Sequence, residues 1–180
     1  IGNSTDNAKF DAATLVWQDE KGLVNGVYAD KASSNIVVVL NEDVAGNALV
    51  AATQDGTITW SWHLWVTGYE PEASLYPASA ADVPDVMFMD RNLGARANEG
   101  GKDSFGLYYQ FLRKDPFVRD SCSVEYEEHQ LRKIYNIDGE EIAHKFCADV
   151  APETRYEDAI KTPDTIYSGL VNKAGNYGWI

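Results

Sequence analysis

Large apolar side chains alternate with smaller or polar ones from Thr57 to Val66, and three of the chain's five tryptophans lie in this stretch. Such period-2 alternation predicts a β-strand with one buried face. The dipeptide Asp55-Gly56, directly before it, favours the positive φ angles of a two-residue hairpin loop. We therefore expect the even positions to form the buried face and the odd positions, His63 among them, to form a less apolar face. The even positions are Ile58, Trp60, Trp62, Leu64 and Val66.

The hairpin loop also predicts which residues lie opposite one another on the two strands. With Asp55 and Gly56 in the loop, small side chains lie opposite large ones, which gives the tryptophans room to lie across the partner strand. We expect this hairpin to be part of the core. The expected pairs are Thr53 with Ile58, Ala51 with Trp60, and Leu49 with Trp62.

Residues 13–67 contain further short apolar runs and turn signals, which together predict an antiparallel β region. Leu15–Trp17 and Leu23-Val24 flank a turn-like segment, so we expect them to form a first strand pair. Ile36–Leu40 is a β-branched run suited to a central strand. Residues 1–12 are mostly small or polar, and we expect a loose N-terminal arm there.

Residues 68–180 follow a more irregular pattern. Proline, alanine and serine over residues 68–83 predict a surface loop, and Val86–Met89 is a short strand candidate. A helix is then predicted from Asp103 or Ser104, because apolar residues follow at helical spacing until Pro116. Those apolar residues are Phe105, Tyr108, Tyr109 and Leu112.

Two local signals complete the fold prediction. The segment Asn136–Gly139 predicts a hairpin turn, and Thr154 with Glu157 forms a capping box for a short helix that ends before Pro163. The predicted fold class is α+β and predominantly β. An antiparallel N-terminal sheet leads into an irregular region with one or two short helices.

Composition narrows the class of partner. The 180 residues are 44% hydrophobic and 12% aromatic, which is ample for a packed core. The formal net charge of −13 argues against nucleic acid and against an anionic membrane surface, both of which would repel the chain. No apolar run approaches the roughly 18 to 20 residues of a membrane span. The sequence is thus typical of a secreted or cell-surface protein.

The sequence shows no catalytic motif, and we expect a protein that is not an enzyme. It lacks the GxSxG, P-loop, GxGxxG and HExxH patterns. Cys122 and Cys147 form a disulfide in one interpretation and are two unrelated thiols in the other. His63 as a general base would need a nucleophile and an orienting carboxylate, and spacing indicates neither.

No cofactor is expected, and calcium is the one ion considered. Asp90 and Asn92 can place oxygen ligands on a calcium ion, with Asp103 or Asp115 completing the shell. In the alternative interpretation Asp90 pairs with Arg91 and fixes the end of a strand.

Aromatic residues suggest a second kind of site. An aromatic face can stack on the apolar face of a sugar ring, although most aromatic side chains on strands belong to the core. Trp65 and Tyr69 are the best candidates, since alternation points Trp65 away from the apolar face. The predicted ligand-binding residues are Trp65, Tyr69, Tyr76 and Asn92.

Three segments carry a resemblance to a known family. They are TWSWHLWVTGYEP, FMDRNLGA and GLYYQFLRKDPF, which begin at Thr59, Phe88 and Gly106. In this order they resemble the motifs of Bacteroidetes surface and fimbria-associated proteins with the FISUMP domain, the Fibrobacter-type major paralogous domain. The similarity covers most of residues 13–170.

The resemblance implies a C-type-lectin-like fold for residues 68–180, distantly similar to the formylglycine-generating enzymes. It also implies that a segment completing the domain after Trp179 is missing. The implied role is non-catalytic adhesion or glycan recognition at the cell surface, as a fimbrial accessory or tip component. Its partners would be glycans, host or bacterial surface proteins, or fimbrial subunits. A structural subunit that binds other protein chains is the alternative, and an enzyme using Cys122 and Cys147 is the third hypothesis.

Overall fold

A computed structural model describes residues 10–68, 73–76, 85–99, 102–110, 113–118, 133–147 and 155–167. A short 3₁₀ turn covers Lys102–Ser104, and helix α1 covers Arg155–Lys161. In chain order the strands are β1 (Ala12–Gln18), β2 (Val24–Asp30), β3 (Asn35–Leu40), β4 (Gly46–Gln54), β5 (Thr57–Val66), β6 (Ala73–Tyr76), β7 (Val86–Met89), β8 (Tyr108–Tyr109), β9 (Pro116–Phe117), β10 (Ile134–Tyr135), β11 (Glu141–Ile142), β12 (Lys145–Cys147) and β13 (Thr165–Tyr167).

The main sheet has five antiparallel strands in the order β11-β10-β1-β4-β5, so it combines strands from both halves of the chain. The remaining strands form three antiparallel pairs, β2–β3, β6–β7 and β8–β9, and one parallel pair, β12–β13. The predicted fold class, predominantly β with few short helices, is confirmed.

The predicted β4–β5 hairpin is confirmed at its loop. Asp55 and Gly56 have φ angles of 50° and 76°, as a two-residue loop of this type requires. Thr53 lies opposite Ile58, as predicted. A β-bulge then shifts the register by one residue, because Thr59 has no partner of its own. Beyond this bulge the observed pairs are Ala52 with Trp60, Ala51 with Ser61, Val50 with Trp62, and Leu49 with His63, so the predicted pairs are wrong there.

Strand β4 lies at the centre of the fold, and its residues Gly46 to Thr53 are all buried. One face of the sheet packs under the β2–β3 hairpin, in a cluster built on Leu23, Val24 and Ala48. The other face packs against the irregular second half of the chain. That cluster contains Trp17, Leu49, Leu107, Val118 and Ile134. Since each fully buried large apolar side chain stabilises a fold by about 1.5 to 3 kcal/mol, these two clusters hold the layers together.

The prediction that the even face of β5 is buried is wrong at its two central tryptophans. Trp60 and Trp62 are 38% and 43% exposed, whereas Ser61 between them is 2% exposed. Of the even face of β5, the cluster under the β2–β3 hairpin includes only Leu64 and Val66, which lie at the end of the strand. Residues 113–118 bury the odd face at Ser61.

Two strand predictions in the first half are also wrong. Strands β1 and β2 do not pair, because β1 joins β4 and β10 in the main sheet while β2 pairs with β3. The Gln18 side chain accepts a hydrogen bond from the Val24 backbone N–H at 2.8 Å. In a strand pair a backbone carbonyl oxygen of β1 would accept it instead. Strand β3 is not central, since Val37 and Val39 are exposed.

The helix predicted from Asp103 is wrong as well. The 3₁₀ turn ends at Ser104, and Tyr108 and Tyr109 form strand β8. Gly106 explains the change: a Cβ there would lie 2.7 Å from the Leu93 carbonyl oxygen, so the chain passes too close to residues 92–93 for a helix. The Leu107 N–H donates to the same carbonyl at 2.9 Å.

Two local predictions in the second half are confirmed. The turn at Asn136–Gly139 joins β10 and β11, and the Asn136 Oδ1 accepts hydrogen bonds from the Asp138 and Glu140 backbone N–H groups. Helix α1 ends at Lys161, before Pro163. The capping residue Thr154 lies outside the described residues.

Candidate functional site

Two exposed tryptophans form a shelf on the even face of β5. Trp60 and Trp62 are two residues apart on one strand, which places their backbones about 6.6 Å apart. Their partners on β4, Ala52 and Val50, are short and are only 1% and 2% exposed. Such short partners do not cover the indoles, and both tryptophans are partly open to solvent. We call this surface the Trp60–Trp62 shelf.

Lys114 lies at the outer edge of β5, next to this shelf. Its Nζ is 4.6 Å from the centroid of the Trp60 ring, which belongs to the even face of β5. The same nitrogen donates to the Ser61 Oγ, which belongs to the odd face. It also donates to the Ser61 carbonyl oxygen at 2.8 Å and to the Asp115 Oδ1 at 2.6 Å. Burial lowers the pKa of Lys114, and the Asp115 carboxylate opposes this shift. The ammonium group therefore covers a strand edge that a further strand would otherwise pair with.

Ser61, Lys114 and Asp115 have the composition of a nucleophile with its activating groups, but their geometry indicates a structural role. The Ser61 hydroxyl is buried and donates to the Asp115 Oδ2 at 2.8 Å. The three N–H groups of Lys114 all have acceptors, so the ammonium group holds the strand edge in place.

A buried polar network lies against the odd face of the sheet. The Asp19 carboxylate accepts from the Asn47 backbone N–H at 2.6 Å and from the Asn47 Nδ2 at 2.9 Å. That amide also donates to the Gly94 carbonyl oxygen at 2.9 Å, which leaves its Oδ1 as the acceptor for the His63 Nε2 at 3.0 Å. These partners assign the His63 proton to Nε2. Burial lowers the pKa of His63 to about 4, so the ring is neutral at pH 7.

Arg96 joins this network to the second half of the chain. Its guanidinium pairs with the Asp19 Oδ1 at 3.1 Å and with the Glu20 carboxylate. Burial alone would lower the pKa of Arg96, but the Asp19 and Glu20 carboxylates have the larger effect and raise it. Gly46 leaves space for this pair, since a Cβ there would lie 2.6 Å from the Asp19 Oδ1.

Residues 92–97 are therefore tied to the sheet by several bonds. The Trp65 Nε1–H donates to the Ala95 carbonyl oxygen at 3.0 Å. The Arg96 and Ala97 N–H groups both donate to the Asp103 carbonyl oxygen, at 2.8 and 3.0 Å. A segment held by this many buried bonds is a rigid base for a binding surface.

A cleft of about 520 Å³ opens on the other side of this segment. Asn92 and Asn98, both exposed, contribute amide groups, and Phe88 is an exposed aromatic side chain at 55%. Asp90 and Arg91 form an ion pair in the lining, with the Arg91 Nε donating to the Asp90 Oδ1 at 2.7 Å. We call this feature the Asn92 cleft.

The four predicted ligand-binding residues do not lie together in one described site. Asn92 lines the cleft, as just described. Trp65 is partly buried, and its N–H donates to the Ala95 carbonyl oxygen, so it positions the cleft segment; its role in ligand binding stays a prediction. Tyr69 lies outside the described residues, and Tyr76 is in β6 with its side chain outside them.

The predicted calcium ligands have other partners. Asp90 pairs with Arg91, which confirms the alternative interpretation of that dipeptide. The Asn92 Nδ2 donates to the Ser104 carbonyl oxygen at 3.2 Å, and the Asp103 Oδ1 is 4.0 Å from an Arg96 nitrogen. Within the described ranges, no three His, Cys, Asp or Glu side chains lie close enough together to hold a metal ion. Calcium binding stays a prediction.

The cysteine prediction is also open. Cys147 is in β12, with its side chain outside the described residues, and Cys122 lies outside them altogether. The disulfide, and the enzyme hypothesis that needs both thiols, stay predictions.

Sequence reasoning names Asn92, which lines the cleft, but misses the Trp60–Trp62 shelf. The apolar alternation of β5 predicts that these two tryptophans belong to the core. The one sequence signal for the shelf is the run of small residues in β4, which leaves room for the indoles but does not say which face is covered. The exposure of Phe88 has no local signal.

No protein-family model, no curated protein and no solved structure matches the chain. Among the described residues no helix has the length and apolar character needed to cross a bilayer. The function is therefore inferred from the surfaces of the molecule.

Proposed function

We propose that the chain is a non-catalytic cell-surface domain for adhesion through glycan recognition. The observation that carries this proposal is the Trp60–Trp62 shelf, a pair of partly exposed tryptophans two residues apart on one strand, the first of them also in contact with the Lys114 ammonium. Aromatic rings on a sheet are normally covered, and an exposed pair is an unusual loss of burial that suggests a binding role.

The shelf suits a sugar chain better than a small buried ligand. It is open and shallow, and its two rings follow one another along the strand, as neighbouring sugar units do along a chain. Lys114 beside it is neutralised by Asp115, so the shelf offers no free cation. With a formal net charge of −13 on the whole chain, a polyanionic glycan would be repelled. A neutral glycan is therefore the expected partner.

The proposal is tested by screening the protein on a glycan array and then measuring the affinity of the best neutral oligosaccharide by calorimetry. Trp60→Ala and Trp62→Ala should each weaken binding by about tenfold or more, since stacked aromatic rings contribute most of the affinity at such sites. Tyr28→Ala is the matched control, because Tyr28 is a 59% exposed aromatic residue on a different strand pair. Binding that survives both tryptophan changes would overturn the proposal.

A specific observation favours a structural subunit as the second candidate. Val86, Met87, Phe88 and Met89 are between 41% and 63% exposed, so both faces of β7 present apolar side chains. A two-stranded hairpin is marginal on its own in water, and an apolar one is typical of a protein–protein contact.

This second candidate predicts that the protein purified from its source carries another protein chain. Met87→Ser with Met89→Ser should release that chain in native mass spectrometry, and Trp62→Ala should retain it. Retention of the partner by the β7 variant would exclude this contact.

A further inference from the structure

We infer that the outer edge of strand β3 pairs with the same edge of a second copy of the chain, antiparallel and centred on Val38. The two β2–β3 hairpins then form one four-stranded antiparallel sheet. The inference goes beyond glycan recognition and does not depend on it. Three features carry it: an open strand edge, a strand sequence that matches itself, and charges that suit the second copy.

The outer edge of β3 lacks the usual protection of a sheet edge. Strand β3 pairs with β2 on one side, and no described strand pairs with its other side. The bulge of this hairpin lies at Asn25 on β2, so β3 itself is regular. Natural edge strands are usually protected by charges, prolines or bulges. Residues Ile36–Leu40 contain none of these, whereas Lys114 covers the edge of β5.

The face of the hairpin that points away from the main sheet is apolar beside this edge. Val37 and Val39 are exposed there, and Tyr28 lies opposite Val37. Gly26 lies opposite Val39, and a Cβ at Gly26 would be 2.6 to 2.8 Å from three atoms of the Tyr28 side chain, so this side chain lies over the glycine. An exposed apolar face next to an open edge is typical of a contact with another chain.

The sequence of β3 matches itself when two copies meet in antiparallel orientation. Residues directly opposite one another in such a pair point to the same side of the sheet, as a two-fold axis perpendicular to the sheet also requires. An axis at Val38 brings aliphatic side chains opposite aliphatic ones and neutral amides opposite each other. The exposed apolar faces of the two hairpins then become continuous. The resulting pairs are Val38 with its own copy, Val37 with Val39, Ile36 with Leu40, and Asn35 with Asn41.

The charges next to β3 favour a second copy in this register. The loop with Lys31 comes beside Glu42 and Asp43 of the other copy, and all three residues are exposed. The acidic residue at the loop, Asp30, accepts hydrogen bonds from the Ser33 N–H and hydroxyl groups within the same hairpin. Opposite charges therefore meet at both ends of the pairing, once for each copy.

The dimer is expected to be weak. The formal net charge of −13 on each copy opposes association. An edge of six residues also buries less than the roughly 1,200 Å² of a stable interface. We therefore expect a monomer at about 1 µM and a substantial dimer fraction at about 100 µM.

Analytical ultracentrifugation of the full chain over this concentration range, with a reducing agent present, tests for the dimer. Val37→Lys should keep the chain monomeric throughout, because it places a charge beside the pairing edge. Val86→Lys is the matched control, since Val86 is 41% exposed and Val37 45%, and it should leave the dimer unchanged. Circular dichroism checks that each variant is folded.

Cysteine substitution tests the register. With the axis at Val38, the two copies of residue 38 have a Cα separation of about 4.5 to 5.5 Å, which a disulfide can span. Val38→Cys should give a covalent dimer under mild oxidation, with the link at position 38 identified by peptide mass spectrometry. Val39→Cys is the control: it is more exposed, but it lies opposite Val37 of the other copy and should link far less.

A dimer that is lost in Val37→Lys and linked at position 38 supports the inference. A monomer at every concentration would overturn it and leave the edge to a strand of another protein. A dimer that persists in Val37→Lys but dissociates in Val86→Lys would overturn it in favour of a contact through β7. Stronger linking at position 39 than at position 38 would overturn the pairing about Val38.

Discussion

On strand β5 the polar face is buried and the apolar face is partly exposed, the reverse of what their chemistry predicts. The odd face carries Ser61 and His63, and it is buried against a network of hydrogen bonds and ion pairs. The even face carries Trp60 and Trp62, and both are more than one-third exposed. A strand of this composition is expected to bury its tryptophans and expose its serine. Here the polar face provides the internal structure and the apolar face is available at the surface.

This difference shows what alternation does and does not predict. A period of two assigns residues to two faces, but the face that becomes internal depends on what the rest of the chain places against it. The odd face has the partners Asp19, Asn47 and Asp115, which hydrogen-bond or lie in one network with the buried Ser61 and His63 side chains. Changes on the odd side should therefore destabilise the fold, and changes on the even side should affect binding.

The largest effect is expected from Asp19→Ala. It removes the carboxylate that accepts from Asn47 and pairs with Arg96, and it leaves a largely buried guanidinium with one partner fewer. Breaking a buried ion pair typically costs about 3 to 5 kcal/mol, and we expect a loss of that order in urea unfolding. Glu141→Gln is the control, since its pair with Lys133 is exposed and should change stability by less than about 1 kcal/mol. Similar small losses in both variants would contradict the structural role of the odd side.

The second effect is a loss of stability in mild acid. Burial lowers the pKa of His63, and likewise of His144, from 6.5 to about 4. Between these values the unfolded chain binds protons that the folded chain excludes, so stability is complete above pH 6.5 and falls as the pH drops towards 4. Over this range the free energy of unfolding should change by about 1.4 kcal/mol per pH unit for each histidine.

Urea unfolding at a series of pH values measures this slope. His63→Gln should reduce it, because glutamine can still donate to the Asn47 Oδ1 but does not titrate. His144→Gln should reduce it by a similar amount. An unchanged slope in both variants would show that neither histidine is neutral in the folded protein.

A smaller effect is expected from Ser61→Ala on the same face. The change removes the hydroxyl that donates to Asp115 and accepts from Lys114, with no change in apolar packing. Leaving these buried groups short of a partner should cost about 1 to 3 kcal/mol in thermal or urea unfolding. Thr57→Ala, at an exposed position of β5, provides the matched control. A loss no larger than that of the control would contradict the assignment of the odd face as internal.

The smallest effect on stability is expected on the even face. Trp62→Tyr keeps an aromatic side chain opposite Val50 at a position that is 43% exposed, so the free energy of unfolding should change by less than about 1 kcal/mol. The same change should nevertheless weaken glycan binding measurably, because the smaller ring offers less stacking area. A large loss of stability here would mean that the shelf belongs to the core.

The sequence predicts those features that a few neighbouring residues determine. The loops at Asp55-Gly56 and Asn136–Gly139 and the end of α1 before Pro163 depend on local backbone chemistry, and they are confirmed. The bulge at Thr59 and the loss of the helix after Ser104 depend on contacts made elsewhere.

The candidate site follows the same rule. Asn92 lies in a polar turn-rich segment, and it does line a cleft. Ser61 meets Asp115 across 54 positions of sequence, and Asn47 meets Gly94 across 47. Such pairings decide which face of β5 is covered, and they have no signature in the strand itself. Alternation alone therefore favours Trp65 over Trp60 and Trp62 as the exposed ring, although the Trp65 N–H donates to Ala95 and its two neighbours are more exposed.

The ammonium group of Lys114 has a consequence for how the protein behaves when crowded. Strand β5 ends the sheet and spans ten residues, which is long enough to template growth of a fibril from molecule to molecule. A cation placed on the Ser61 carbonyl makes an incoming strand displace a charge before it can pair. Acetylation of that one amine would remove the charge and, with it, the bonds to the Ser61 hydroxyl and the Asp115 carboxylate. Protection of the β5 edge at Ser61 against pairing with a second molecule thus depends on the charge of this side chain.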